Sequence, residues 1–92
     1  MFPFADERTH EVHAGHHRKD VPDNVARRAA RQIDILLAAT TLNDCRIAGR
    51  GRVAKRSNTD PPVFCCNTEG QWWLIFNWQS GRAVNIELQD TG

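Results

Sequence analysis

The chain predicts an α+β fold in which two N-terminal helices pack on a three- to four-stranded antiparallel sheet. Val25, Ala29, Ile33, Leu36 and Leu37 recur at the spacing of one helical face. Trp72, Leu74, Phe76 and Trp78 alternate with Gln71, Trp73, Ile75 and Asn77, as the two faces of a strand require. The turn sequences Glu69-Gly70 and Gln79-Ser80-Gly81-Arg82 divide the C-terminal part into successive strands. A chain of 92 residues is short enough to hold one core, so residues 1–92 read as one domain.

Taken in order, Phe4–His13 predicts a short helix with Phe4, Ala5 and Val12 on its modest apolar side. Ala14–Pro22 reads as a turn, punctuated by Gly15 and ended by Pro22. Asp23 or Asn24 then suits an N-cap, and the long helix follows over Asp23–Ala39. Arg27 and Arg31 lie one turn apart on another face, with Asp23 and Asp34 in reach as partners. Thr40–Asn58 has a looser pattern, with a short strand expected near Arg52–Lys55. After the Asp60-Pro61-Pro62 turn, Val63–Thr68, Gln71–Trp78 and Ala83–Leu88 form a meander. The face Trp72, Leu74, Phe76, Trp78 is wholly apolar and should pack on the long helix, which leaves Trp73 pointing away from the core.

Composition narrows the class. A hydrophobic fraction of 40% and a charged fraction of 25% exclude collagen-like and fully disordered chains. The longest apolar stretches, Ile33–Ala39 and Trp72–Phe76, are too short to span a bilayer. The N-terminus has acids where a secretory signal needs bases and an apolar run, so a cytoplasmic protein without membrane partners is expected. Net charge is +1, yet residues 18–56 carry ten bases against four acids, and residues 57–92 carry one base against four. Arg46, Arg50, Arg52, Lys55 and Arg56 form the densest cluster, which is either a polyanion site or a solvated loop. Cys45, Cys65 and Cys66 lack disulfide or metal-knuckle spacing and read as small apolar residues, the last two on opposite faces of a strand. His10, His13, His16 and His17 are interrupted by Gly15 and followed by Arg18 and Lys19, so no metal or other cofactor is expected.

Three segments resemble HigB-like toxins of the RelE/ParE superfamily, from type II toxin–antitoxin modules. RAARQIDILLAATTLND, Arg28–Asp44, is similar to the family's helix and "LDAAT…DL" signature. EGQWWLIFNWQSGRAVNIELQD, Glu69–Asp90, is similar without a gap to the ending "NGNWRITFRF…G…A…V…Y.DYH", and FADE, Phe4–Glu7, fits the opening "SF.D". The resemblance implies a RelE/ParE-like fold and a ribosome-dependent endoribonuclease that enters the ribosomal A site and cleaves translated mRNA. It also implies a helix-turn-helix antitoxin as partner. By this resemblance Lys55, Arg56 and Asp90 are the candidate catalytic residues, and Arg50, Arg52, Gln71 and Trp73 the candidate RNA-binding ones.

The chain departs from the family at positions that carry the chemistry. Ala54 stands where many members have His, Ser57 where many have Lys, and Asp60 where many have Arg. Trp73 replaces the Arg that follows the central Trp, and Thr91 and Gly92 replace a Tyr and a His. Cleavage of RNA by its own 2′-OH needs a group to orient or deprotonate that hydroxyl, cations on the phosphate and a donor for the leaving oxygen. Attenuated cleavage is therefore expected, with a catalytically weak or inactive homologue that keeps antitoxin or ribosome binding as the alternative.

Overall fold

The structure, a computed structural model, describes residues 3–49 and 52–92. Two helices, α1 (Glu7–His13) and α2 (Asp23–Ala38), precede a 3₁₀ helix at Leu42–Ile47 and a four-stranded antiparallel sheet. Its strands are β1 (Ala54–Ser57), β2 (Val63–Glu69), β3 (Trp72–Gln79) and β4 (Arg82–Asp90), in the spatial order β1-β2-β3-β4. This is the α+β arrangement expected, with the helices N-terminal to the sheet. No helix among the described residues is long and apolar enough to cross a membrane.

The long helix packs on one sheet face by burying Val25, Ala29, Ile33 and Leu36 against Leu74, Phe76, Ile86 and Leu88. Leu37, expected in that stripe, is 40% exposed, and Gln32 is buried in its place. A 3.6-residue period puts Leu37 past the edge of the stripe that Val25, Ala29 and Leu36 centre, whereas position 32 falls inside it. Asp23 is the first helical residue rather than the cap, and Pro22 precedes it without a side-chain cap bond. Pro22 needs no N–H partner, which lowers the demand for a cap. Asp23 and Asp34 do not pair with Arg27 and Arg31 as their spacing suggested; they face His17 and His13 instead, drawn there by the docking of the N-terminal segment.

The N-terminal segment seals the outer edge of β4. Phe4 bridges Ile86, whose N–H donates to Pro3 O and whose carbonyl accepts from Ala5 N–H. The helix begins later than Phe4 because these residues are engaged in that bridge. Asp6 caps α1 by accepting from Thr9 N–H at 2.9 Å and from the Thr9 hydroxyl at 2.6 Å. The same buried hydroxyl accepts from Leu88 N–H at 2.9 Å, and Arg8 Nη2 donates to Leu88 O at 2.7 Å. Exposed edge groups invite pairing with another chain, and here they are satisfied.

The region between α2 and the sheet carries an element that periodicity did not reveal. A capping box starts the 3₁₀ helix: Thr41 Oγ1 accepts from Asp44 N–H, and Asp44 Oδ2 accepts from Thr41 N–H. Backbone N–H groups of Thr40 and Thr41 hold the Asp44 carboxyl below its usual range. The first strand lies two residues beyond its expected start, at Ala54–Ser57.

All three strand pairs carry register irregularities, the first between Lys55 and Ser57 of β1 and the others in the two hairpins that follow. The β2–β3 loop is Gly70-Gln71, one residue later than expected, because the register shifts between Asn67 and Glu69. At the β3–β4 turn, Ser80 and Gly81 both have positive φ, 55° and 75°, as a type I′ hairpin turn requires. Further along, Asn85 sits at φ 53° in a bulge, and its amide donates to Asn77 Oδ1 at 2.9 Å.

Phe76 is 1% exposed at the centre of this core. Phe76→Ala should lower stability by about 3–5 kcal/mol, measured by urea denaturation. A loss below 1 kcal/mol would show that the helix–sheet interface is not where the stability resides.

Candidate functional site

Because both helices lie on one face of the sheet, the opposite face is uncovered. Strand alternation and register place Ala54 of β1, Cys65 and Asn67 of β2, Trp73 and Ile75 of β3, and Glu87 and Gln89 of β4 there, and Arg56, at the irregularity of β1, reaches the same face through Gln89. Trp73 is half-buried, with Asn67 opposite on one side and Gln89 on the other. Arg56, Cys65, Trp73 and Thr91 line a shallow depression of about 240 Å³ on this face.

Arg56 and Gln89 belong to the two outer strands, yet Arg56 Nη1 donates to Gln89 Oε1 at 3.1 Å. Their side chains therefore lie along the face and meet above the two middle strands. Gln89 Nε2 in turn donates to Glu87 Oε2 at 3.0 Å. The chain Arg56–Gln89–Glu87 holds the guanidinium next to the Trp73 ring with part of its donor fork unused. A guanidinium beside an indole suits a phosphate and an unstacked base of single-stranded nucleic acid.

Proton transfer is poorly provided for. No imidazole, phenol or carboxylate is among the residues lining the depression. Cys66 points into the core, where burial, with smaller effects from Cys65 and Cys45, pushes its thiol up to about 12. Burial, helped by the nearby Asp44 carboxylate, pushes Cys45 up to about 11. Thiols so far above neutrality supply no nucleophile at physiological pH.

The candidate residues named from sequence divide between places. Arg56 and Trp73 come together in the depression. Lys55 does not join them: it stands opposite Phe64, on the helix-covered side, and lines a separate hollow with Arg46 and Asn43. The register of β1 against β2 shifts between Lys55 and Ser57, and on either side of that irregularity Lys55 and Arg56 line different hollows. Asp90 stands opposite Trp72 at the sheet's end, where it accepts from Gln71 Nε2 at 2.7 Å and from Gly92 N–H at 3.0 Å. Gln71 is thereby held at the rim, and its carbonyl accepts from the Thr91 hydroxyl at 2.7 Å. Arg52 is exposed just before β1, and Arg50 lies outside the described residues.

Gln89 and Glu87 were not anticipated. Counting back from the Gln79–Arg82 turn pairs would set Leu88 opposite Trp73 and turn Gln89 toward the core. The bulge at Asn85 shifts the register by one, so that Glu87 and Gln89 face outward while Ile86 and Leu88 are buried. An Asn within a β-run is the only local signal for it, because Asn tolerates positive φ.

Compared with known proteins, the chain matches no family model and no curated protein.

Trp73→Ala should weaken binding of a labelled single-stranded RNA by about 1–3 kcal/mol, the usual loss for one stacked base. Arg56→Gln should lower the salt dependence of binding, whereas Lys55→Gln should leave the contribution of Trp73 unchanged. Fluorescence anisotropy across a salt series measures each. Equal affinities for wild type and Trp73→Ala would remove the indole from the site.

Proposed function

We propose that the chain is a HigB-like toxin of the RelE/ParE superfamily, acting on translated mRNA at the ribosome with attenuated cleavage. The convergence of Arg56 and Trp73 on the open sheet face carries the reading. The guanidinium offers charge-assisted hydrogen bonds to the scissile phosphate, and the indole offers a platform for a base that the ribosome has already unstacked. Holding RNA in a strained, in-line geometry lets its own 2′-OH attack, and positioning alone supports part of such a reaction. Electrostatic stabilisation by one guanidinium, without a residue to protonate the departing 5′ oxygen, fits a slow enzyme. The helix-turn-helix antitoxin and the ribosomal A site belong to this reading as partners, and the cytoplasm as its compartment.

A second reading is favoured by one observation. With Lys55 turned to the other face and neither imidazole nor phenol in the depression, the same surface suits binding without cleavage. The chain would then be a catalytically inactive homologue that still engages an antitoxin or the ribosome.

Primer extension on cellular mRNA after induction separates the two readings, since cleavage leaves discrete ends and silent binding does not. Trp73→Arg places a second guanidinium in the depression. It should raise cleavage by roughly 10²-fold or more, the usual effect of one electrostatic donor at a reacting phosphate. Cleavage by wild type that Trp73→Arg abolishes would show that stacking, not charge, limits the reaction. Absence of new mRNA ends from both proteins would refute the nuclease reading.

A further inference from the structure

The fold releases two arginines that the sequence would have paired. His17 Nδ1 stands 3.3 Å from Asp23 Oδ1, and His13 Nε2 stands 2.7 Å from Asp34 Oδ1. With both acids so engaged, Arg27 and Arg31 are exposed on α2 and have no ion pair among the described residues. They line, with Arg28, a cleft of about 390 Å³ between α2 and Ala48 at the end of the 3₁₀ helix. Glu69 is the one carboxylate lining it, and its Oε2 is 3.3 Å from Arg28 Nε. Three guanidinium groups against one carboxylate leave two positive charges unbalanced.

The lining discriminates between anionic partners. Protein partners anchor through aromatic or large apolar side chains in dry pockets, and this cleft offers only the partly buried Ile35 in that class. Among the described residues that line it, none carries an aromatic ring to stack a base. Gln32, at the floor, has its amide committed to Ala48 O, Asn67 O and Thr68 Oγ1, so it reads nothing. What remains is a pair of arginines whose backbone positions lie about 6 Å apart along the helix axis, a spacing comparable with successive phosphates of an extended strand.

We propose that this cleft is a second RNA-contacting site, which tracks the phosphate backbone of single-stranded RNA without reading its bases. It lies in the helical layer, separate from the open sheet face, and does not rest on the family reading. Together the two surfaces would let one short domain engage RNA at two places.

The test is anisotropy of a labelled mixed-sequence RNA of about 12 nucleotides, within the span of known single-strand sites, across a salt series. Arg27→Gln/Arg31→Gln should weaken binding and reduce the slope of log K against log salt by about 1.4, the value for two phosphate contacts on a single strand. Arg27→Lys/Arg31→Lys should retain the slope. Both side chains are exposed, so an unchanged melting temperature is expected and separates lost contacts from lost fold. Unchanged affinity and slope in the glutamine variant, or no RNA binding by wild type, overturns the proposal. A polyglutamate peptide that displaces RNA from wild type as well as unlabelled RNA of equal charge also overturns it, in favour of an acidic protein segment. If Arg56→Gln and Trp73→Ala abolish binding and the α2 variant does not, the cleft fails and the open face stands. The reverse result supports the cleft and removes the open face.

Discussion

The buried side-chain amide of Gln32 ties together three parts of the molecule: α2, the end of the 3₁₀ helix and β2. Its Nε2 donates to Ala48 O at 2.8 Å and to Asn67 O at 2.9 Å, and its Oε1 accepts from the Thr68 hydroxyl at 2.7 Å. A buried amide is tolerated only when its donors and acceptor are met, and apolar packing alone permits sliding that these directional bonds forbid. The amide therefore sets where α2 sits along β2. It holds the end of the 3₁₀ helix, from which the chain runs toward Arg52 and β1. It also anchors Thr68, the residue at which the β2–β3 register shifts. Trp72 and Trp73 follow Glu69 with two residues between, so the irregularity that Gln32 braces lies next to the strand that carries them.

Charge is sorted by the same docking. Arg18 pairs with Glu11 and Asp20, and Arg8 approaches Asp20 at 3.7 Å. The Arg18 guanidinium holds the Asp20 carboxyl below its ordinary range. Individually such solvent-facing pairs contribute little to stability. Collectively they tie up the acids around α1 and the following turn, and the basic excess of residues 18–56 is left to other surfaces. A protein of net charge +1 thus presents concentrated positive charge where its arginines lack neighbours.

The parts legible in the sequence are those governed by local repetition. The α2 stripe and the alternation of β3 are periodic over many residues, and apart from the exposed Leu37 and the partly buried Trp78 their residues meet in the core as expected. Gln32 was illegible because its partners are backbone groups 16 and 35 residues away. Asp23 and Asp34 have arginines at helical spacing, but histidines from another segment reach them first, and spacing along one helix cannot foresee that. For the site, Trp73 followed from alternation alone. Lys55 and Arg56, read together from the charge cluster, line different hollows, and the register irregularity between Lys55 and Ser57 that separates them leaves no mark in the sequence pattern. Gln89 depended on the bulge at Asn85, where a single extra residue reverses the face of everything beyond it.

The sealing of β4 by the N-terminal segment also bears on how the chain reaches its native state. Thr9 and Arg8 satisfy Leu88 across separations of 79 and 80 residues. Closing so long a loop carries an entropic cost that local contacts do not recover until both ends are present. The hairpins can assemble early and the short helix at Glu7–His13 can dock on α2, where His13 meets Asp34, but its bonds to Leu88 must wait for β4. The bonds of Arg8 and Thr9 to Leu88 are therefore among the last that folding completes, and they lock an assembly whose local parts are already formed.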